Sequence, residues 1–326
     1  MTALPTKHEY PIKLGTLLFT MVEPTRGHEV EYNRWYEHDH FYAGCMIGAW
    51  QFAGDRFVAT RRLKDLRYPA ETDMTPDPLT GSYLAIYWVL ADHHEEWNRW
   101  AVDQVNWLHA NGRMFPERAH IHTLLYQHEW SRQRDPNGCT IELALDRDYP
   151  GLVVVCGDVR EGHTHDEVDA WFQDTYLPEA MSRPWGPDVV SSATVIPLLD
   201  DRPADVAQPA AGPARFLQMH FLDHDPAEGW ADGYATIGDA IEASGVATHV
   251  WTAPFINTVW GTDTYTDDSP IAVAAVHAGL LKAGETGLIR VTLERGRDSY
   301  AGTPRNGVSS QNFGAYAGSY RIERVR

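Results

Sequence analysis

An eleven-residue pattern occurs twice in this chain of 326 residues, and it constrains the fold more than any other feature. Residues 31–41 read EYNRWYEHDHF and residues 167–177 read EVDAWFQDTYL, so the copies start 136 positions apart. The apolar frame is kept in three pairs: Trp35 and Trp171, Tyr36 and Phe172, Phe41 and Leu177. The histidines are not kept, since His40 is replaced by Tyr176 and His38 by an aspartate. The pattern indicates a duplicated unit whose chemistry lies in the first copy.

The predicted elements follow the same β-α-β-β-α-β order around both copies. In the first unit, strands are predicted at 15–24, 48–62, 82–90 and 120–130, with helices near 32–41 and at 92–113. In the second, strands are predicted at 151–159, 189–199, 215–225 and 248–256, with helices at 163–181 and 227–244. This order is typical of a ferredoxin-like unit. We therefore expect an α+β fold of two tandem ferredoxin-like units (1–148 and 149–256) that form an α/β barrel, which could close within one subunit.

Residues 257–326 differ in character from the two units. They contain many glycines, short strand-like runs and an apolar helical patch at 271–281. We expect a third, small domain there.

The tandem units resemble the EthD-like branch of the dimeric α/β-barrel proteins. That branch often carries a W-Y-x-x-x-H-x-P signature in its first helix, and Trp35, Tyr36 and His40 match it. Phe41-Tyr42 stands where Leu-Pro is usual, whereas the second repeat has Leu177-Pro178. The resemblance implies a barrel that binds small molecules.

The C-terminal segment resembles an LCCL domain. The matching residues are Trp260-Gly261, Tyr265, Asp268-Ser269, Ile271, Ala274-Ala275, His277-Ala278-Gly279 and Asn306-Gly307-Val308-Ser309-Ser310. Ala272 stands where the family usually has a cysteine, so the disulfide-stabilised form is not expected. The resemblance implies binding of a ligand or a lipid head group.

Charge and cysteine usage restrict the partners. The net charge of −18 would repel a phosphate backbone or an anionic membrane, so we expect neither nucleic acid nor membrane as a partner. We find no apolar run of 18 residues and no secretory signal, and the three cysteines are scattered. This composition favours a cytoplasmic protein with reduced thiols. A small-molecule substrate is the expected partner, and a homo-oligomer is left open.

His40 is the first candidate for acid–base chemistry. It is predicted at the C-terminal end of a helix, where the helix dipole favours the cation and a nearby carboxylate would raise its pKa further. His38 is the second candidate in the same segment. Because Glu37, His38, Asp39 and His40 point in different directions, at most one or two of them are expected to enter one pocket.

Two strand residues complete the predicted catalytic set. Tyr87 and His220 correspond in the two units at an offset of 133. Alternation along SYLAIYWVL places Tyr87 opposite the more apolar face, so both side chains are predicted to face the barrel interior and to stabilise an enolate. His120 and His122 are two apart on a strand and are predicted to share a face, which is a spacing that a metal pair could use. Spacing identifies no third ligand, so no metal site is predicted.

Three functions are compatible with these residues. The first is an enzyme without an organic cofactor, of lyase, cyclase or dehydratase type, which uses His and Tyr on a carbonyl-bearing aromatic or polycyclic substrate. The absence of nucleotide-binding motifs favours it over a nucleotide-dependent enzyme. The second is a non-catalytic ligand-binding or assembly module with the LCCL-like domain as recognition element. The third is a haem enzyme with His220 or His122 as axial ligand.

Overall fold

The computed structural model describes residues 12–207, 209–261, 289–296 and 318–324. It confirms the α+β class. The strands are β1 (Leu14–Pro24), β2 (Gln51–Val58), β3 (Tyr83–Leu90), β4 (Arg118–Gln133), β5 (Gly151–Val159), β6 (Val189–Ile196), β7 (Arg215–Leu222), β8 (Ala247–Asn257), β9 (Ile289–Gly296) and β10 (Gly318–Arg324). The α-helices are α1 (Glu29–Trp35), α2 (Arg61–Lys64), α3 (His94–Ala110), α4 (His165–Trp171), α5 (Leu177–Ala180) and α6 (Ile237–Ser244).

Strands β1 to β8 close into an antiparallel barrel. Their order is β1-β3-β2-β8-β5-β7-β6-β4, so the four strands of each repeat are neighbours. The repeats join at two seams: β4 pairs with β6 from Leu125 to Gln133, whereas β2 pairs with β8 only at Phe57 and Val58. One chain therefore supplies both halves of the barrel.

Large side chains fill the barrel interior. Trp88 and Phe221 meet inside with ring centroids 6.5 Å apart, and Tyr149 packs on Phe221 at 5.6 Å. The linker between β4 and β5 reaches into this core, because the Trp88 indole donates a hydrogen bond to the carbonyl of Ile141 at 3.1 Å. The linker thus covers one end of the barrel with buried apolar side chains.

The predicted orientation of Tyr87 and His220 is wrong. Tyr87 lies beside Trp88 on β3 and must point to the opposite face, where it contacts Tyr36 of the helical layer. His220 likewise contacts Tyr234 outside the sheet. Trp88 faces the barrel, where it packs against Phe221 and bonds the carbonyl of Ile141.

Each repeat begins its helical layer in the same way. In each repeat, an α-helix changes into a π-helix at the aromatic residue that follows the repeated tryptophan. The π-helix covers Tyr36–Met46 in the first repeat and Phe172–Tyr176 in the second. π-Helices are rare and occur frequently at functional sites. The predicted helix at 227–244 is wrong in its first half. Gly229, with φ of +70°, starts two short 3₁₀ turns, and α6 begins only at Ile237.

The loops after β2 and β6 each cross to the other repeat. Residues 64–80 lie against the second half, where the backbone of Tyr68 pairs with Thr252 and Arg215 binds Asp73 at 2.8 Å. Residues 198–206, which we call the lid segment, lie over the first half. Each repeat is therefore covered partly by chain from its neighbour.

The C-terminal residues contribute one described hairpin, in which β9 pairs with β10. Of the LCCL-like positions, Trp260 and Gly261 are described, and the others named above lie outside the described residues. Within the described chain, no helix combines the length and apolar character needed to cross a bilayer.

Candidate functional site

A cavity of about 120 Å³ lies in the first repeat, between the outer face of β1 and β4, the π-helix, α3 and the lid segment. Most of its wall is apolar. The apolar lining residues include Leu18, Ala101, Val102, Val105, Met114, Leu125, Leu198, Pro203 and Val206. The titratable or charged lining residues are Tyr36, His40, Cys45, Arg118, His120 and Arg202. Apolar walls with few polar groups are typical of small-molecule sites.

His40 is held by rings on two sides. Its imidazole stacks on Trp35 with centroids 4.5 Å apart and planes 17° apart, and it meets Tyr36 edge-on at 5.2 Å. Gly44, one helical turn later, leaves the space that the ring occupies. A Cβ there would lie 2.5 Å from the Cε1 of His40. The position of the imidazole therefore depends on the missing side chain at Gly44.

The electrostatic state of His40 differs from the sequence prediction. Burial lowers the pKa of the imidazole to about 3, and the positive charge of Arg118 adds to the shift. The prediction of a raised pKa is wrong for two reasons: the helical segment continues to Met46, so His40 is not at a helix C-terminal end, and burial disfavours the charged ring. The buried Nδ1 has no hydrogen-bond partner in the described chain. His40 is thus a neutral imidazole at physiological pH with one unused nitrogen.

The second repeat keeps this ring arrangement but lacks the imidazole. Tyr176 stacks on Trp171 with centroids 5.5 Å apart and planes 29° apart. This pair corresponds to Trp35 and His40 in the sequence alignment of the repeats. The repeated frame therefore positions a ring on a tryptophan in both halves, and only the first half places a basic nitrogen there.

Arg118 supplies the positive charge of the cavity. Its guanidinium lies 5.4 Å from the centre of the Trp35 ring and donates to the carbonyl of Phe115 at 2.9 Å. It also pairs with Asp205 at 3.1 Å. The Arg118 side chain is only 6% exposed, so its charge is weakly screened by solvent. An anionic group in the cavity would be stabilised by this guanidinium.

His120 lies on β4, in the wall of the cavity that the sheet forms, and it takes part in a chain of hydrogen bonds. Its Nδ1 is 2.9 Å from the Thr123 hydroxyl, which is 2.8 Å from the Thr20 hydroxyl. Burial lowers the pKa of His120 to about 4, with Arg118 as the next cause. Its buried Nε2 makes no hydrogen bond within the described residues, and it lies 3.8 Å from a carboxylate oxygen of Asp205. His120 is a second neutral imidazole in the same cavity.

Tyr87 lies behind the cavity wall, where it contacts Tyr36. The two hydroxyls are 2.6 Å apart, and Tyr36 but not Tyr87 belongs to the cavity lining. Burial raises the pKa of both hydroxyls far above the usual value. Arg56 lies over the Tyr36 ring at 4.3 Å and donates to Asn33 at 2.7 Å. Tyr36 is thus a protonated phenol fixed by Tyr87 behind it and Arg56 above it.

The lid segment closes the cavity through ion pairs with the first repeat. Asp205 contacts His109 at 3.1 Å in addition to Arg118. Asp201 accepts from Arg99 at 2.7 Å, and its carbonyl accepts from Asn106 at 3.1 Å. The lid segment is therefore attached to α3 and β4 mainly by charged groups. The Arg99–Asp201 and His109–Asp205 pairs are exposed and contribute little stability each. The Arg118–Asp205 pair is more buried, so it is the main ion pair that opening of the lid would break.

The other candidates of the repeated pattern point elsewhere. His38 is exposed to solvent. Glu37 lies 3.5 Å from Arg56 and accepts from the backbone of Gly261 at 2.9 Å. Asp39 forms an ion pair with Arg113. Of the four polar residues in this segment, His40 is the one that lines the cavity.

His120 and His122 do not share a face. A β-bulge in the pairing of β1 with β4 separates them, so alternation is interrupted. His122 packs on Phe19 inside the barrel and bonds the Tyr126 hydroxyl at 3.0 Å. The prediction that the two imidazoles share a face is therefore wrong. In the described ranges, no group of three or more potential ligands has metal-binding geometry.

His220 is far from the cavity beside His40. Its Nδ1 lies 3.2 Å from the Tyr234 hydroxyl, and its Nε2 lies 3.0 Å from the Gln218 side chain. Burial lowers the pKa of His220 to about 3. Both ring nitrogens are engaged in the second repeat, so the structure does not bring His220 and His40 together.

Three residues of the cavity were not among the sequence candidates for catalysis: Tyr36, Arg118 and His120. Tyr36 belongs to the repeated pattern but has the spacing of a core residue. His120 was visible only as half of a metal pair. Arg118 gives no sequence signal, since it lies at the start of β4 and becomes part of the site only when that strand pairs beside the π-helix.

Comparison with known proteins gives one family match, to part of the chain. The LCCL domain matches residues 245–320. This match begins before β8, whereas the sequence alone predicted that the third domain begins at residue 257. No curated protein matches the chain.

Solved structures with similar folds have very different sequences. An anthrone oxidase-like protein is 13% identical and has a TM-score of 0.42, with 76% of this chain and 95% of that chain covered. A protein provisionally assigned as a chlorite dismutase is 8% identical with a TM-score of 0.44, and 82% of this chain and 100% of that chain are covered. A dye-decolorizing protein from V. cholerae is 9% identical with a TM-score of 0.35, with 76% and 95% covered.

Proposed function

We propose that the cavity beside His40 is the active site of a cofactor-independent enzyme of lyase, cyclase or dehydratase type. The enzyme would move a proton on a small carbonyl-bearing substrate with an aromatic ring. The observation that carries this proposal is the unused, buried nitrogen of a neutral His40 in an apolar cavity. A buried polar atom without a partner costs about 1–3 kcal/mol, so its retention favours a role for that nitrogen.

The volume limits the substrate. An engineered apolar cavity of about 150 Å³ binds benzene, so a cavity of about 120 Å³ has room for about one six-membered ring. A polycyclic substrate would need the lid segment to move outward. Two of the ion pairs that hold this segment are at the surface, which is compatible with such opening.

The proposed chemistry uses three side chains in different roles. Neutral His40 accepts a proton from the carbon next to the carbonyl. Burial lowers its pKa to about 3 and makes the free ring a weak base, so the negative charge of the enolate that forms beside it must stabilise the imidazolium. The guanidinium of Arg118 stabilises the enolate oxygen that forms. Tyr36, whose raised pKa keeps it protonated, donates a hydrogen bond to the same substrate. Tyr87 is a positioning residue that holds the Tyr36 hydroxyl.

The finer assignments belong to the same proposal. We infer that the site lies in the first of two tandem ferredoxin-like units, residues 1–148 and 149–256. Residues 257–326 would be an LCCL-like domain. The barrel topology, in which β1 to β4 and β5 to β8 form two neighbouring groups, supports the two units. The family match at residues 245–320 supports the C-terminal LCCL-like segment, although it begins inside the second unit. His38 and His220, which lie outside the cavity, are not part of the proposed reaction.

A proton-exchange assay tests the proposal with one-ring ketones. Acetophenone in D₂O loses its α-protons when a base abstracts them, and proton NMR follows the loss. We expect the wild-type protein to accelerate exchange, and His40→Ala to reduce the acceleration by a factor of about 10² or more. The matched control is His38→Ala, two residues away and exposed, which should exchange within about twofold of wild type.

Two outcomes would contradict the proposal. Equal exchange by wild type and His40→Ala would remove His40 from the chemistry. Binding of acetophenone without accelerated exchange would favour the ligand-binding module over the enzyme.

A further inference from the structure

A second cleft, of about 690 Å³, lies at an end of the barrel away from His40. It is formed where the linker before β5, the residues after β7 and the end of β8 meet. Its polar and aromatic lining includes Asp148, Asp223, His224, Glu228, Thr258 and Trp260. None of these residues lines the cavity beside His40, so the two sites are separate.

The imidazole of His224 presents an acceptor at this cleft. Its Nδ1 lies 3.0 Å from a carboxylate oxygen of Asp223. A carboxylate accepts but does not donate, so the neutral ring carries its hydrogen on Nδ1, and Nε2 is left as the acceptor. That Nε2 is shielded from solvent and has no hydrogen-bond partner within the described ranges. The hydrogen bond from His224 also lowers the pKa of Asp223, which keeps the carboxylate charged.

Thr258 is a second unsatisfied group in the wall. The residue is 3% exposed, and its backbone N–H donates to the carbonyl of Arg56 at 2.9 Å. Its hydroxyl oxygen has no partner among the residues that the structure describes. A buried hydroxyl without a hydrogen bond is unfavourable. A ligand that reaches the floor of the cleft would remove this penalty.

The remaining wall favours positive charge. Asp148 and Glu228 add carboxylates that are exposed to solvent, and Asp225 is paired with Arg62 at 2.6 Å. Trp260 adds a partly exposed ring, packed edge-on against Phe41 at 4.8 Å. Acceptors beside an aromatic face suit a cation that carries N–H donors.

We propose that this cleft is a second ligand site, which binds a small organic cation through an ammonium group. The ammonium donates to the Asp223–His224 pair and to the Thr258 hydroxyl, and the charge lies near the Trp260 ring. Neither the proposed proton transfer at His40 nor the LCCL match assigns this site.

The layer beneath the cleft provides an independent signal of occupancy. Asn257, in the cleft wall, donates to the buried carboxyl of Asp55. Burial raises the pKa of Asp55 to about 8, and the charge of Asp148 contributes to the shift. A cation bound above would favour ionised Asp55. Binding near neutral pH should therefore release a proton.

Calorimetric titration with benzylammonium, and with benzyl alcohol as its neutral counterpart, tests the site in the full-length protein. At physiological ionic strength, charges more than about 8 Å apart are largely screened, which suppresses general attraction to an acidic protein. We expect benzylammonium to bind at least about tenfold more tightly, or about 1.4 kcal/mol. Titration in two buffers with different ionisation enthalpies should show proton release, which Asp55→Asn should abolish.

Variants separate this site from the rest of the surface. Asp223→Asn and Thr258→Val should each weaken benzylammonium binding about fivefold or more, whereas the exposed Glu161→Gln should not. His40→Ala should leave the affinity unchanged, so failure here is distinguishable from failure of the proposed enzyme. Equal binding of the two ligands would overturn the proposal. The proposal would also be overturned if Asp223→Asn bound benzylammonium as tightly as Glu161→Gln does. This comparison can be made even if Thr258→Val does not fold.

Discussion

The effect of a methyl group at Gly44 should change sign when His40 is removed. In the wild-type protein, a Cβ at residue 44 would lie 2.5 Å from Cε1 and 2.7 Å from Nδ1 of His40. Gly44→Ala therefore pushes the imidazole from its stacked position on Trp35. Overpacking of this kind costs about 1–3 kcal/mol. The gain in helix propensity from Gly to Ala returns about 1 kcal/mol, so we expect a net loss of about 1 kcal/mol.

The same change should stabilise the His40→Ala protein. Without the imidazole, the new methyl no longer meets the ring, and only the propensity gain of about 1 kcal/mol remains. The two backgrounds then differ by about 2 kcal/mol, which is the coupling between the two positions.

Urea denaturation of the four proteins, followed by fluorescence and circular dichroism, measures this coupling. If Gly44→Ala has the same sign and size with and without His40, then the space at Gly44 is not reserved for the imidazole. The exchange assay gives a second readout, since displacement of His40 in Gly44→Ala should lower acetophenone exchange while the protein remains folded.

Three further changes test other parts of the structure. The folded pKa of Asp55 is near 8, above its unfolded value, so its contribution to the free energy of unfolding is lost as pH rises from about 4 to 8. In urea denaturation between pH 5 and 8, the free energy of unfolding of Asp55→Asn should therefore rise relative to that of wild type by about 1.4 kcal/mol per pH unit. The folded pKa of His220 is near 3, below its unfolded value, so the free energy of unfolding of wild type falls as pH falls below about 6.5. His220→Asn should lose about 1.4 kcal/mol less per pH unit. Equal slopes of unfolding free energy against pH in the two proteins would contradict the burial of a neutral ring. Asp205→Ala should speed hydrogen exchange of residues 198–207 while changing stability by about 1 kcal/mol or less; unchanged exchange would show that Asp205 does not hold the lid segment.

The repeat predicted more of the local structure than any single motif did. It indicated a duplicated unit, and the structure adds that a ring stacks on the repeated tryptophan in both copies, because identical spacing on a helix places side chains on equivalent faces. The predicted strands agree with β1 and β3 to β8 within a few residues at most ends. Apolar runs bounded by turn residues are a local signal, and the barrel keeps them.

The alternation of side chains along a strand gave a wrong prediction where distant residues decided which face of the strand points into the barrel. It correctly separated Tyr87 from Trp88, but which of them enters the barrel depends on the packing of Trp88 with Phe221 and the linker carbonyl of Ile141. A bulge at β1 also placed His120 and His122 on opposite faces. A register shift of one residue reverses every later side chain, and nothing in the HIH sequence signals it.

By itself, the sequence determined the duplicated framework and restricted its imidazoles to the first copy, where the ring nitrogen of His40 was one of two candidates, with His38. Tertiary structure decided everything that makes this nitrogen chemically distinct: the cover supplied by a loop of the other repeat, the guanidinium of Arg118, and the burial that keeps the ring neutral. The physical reason is that spacing along a helix is local, whereas desolvation and charge depend on groups brought together from distant parts of the chain.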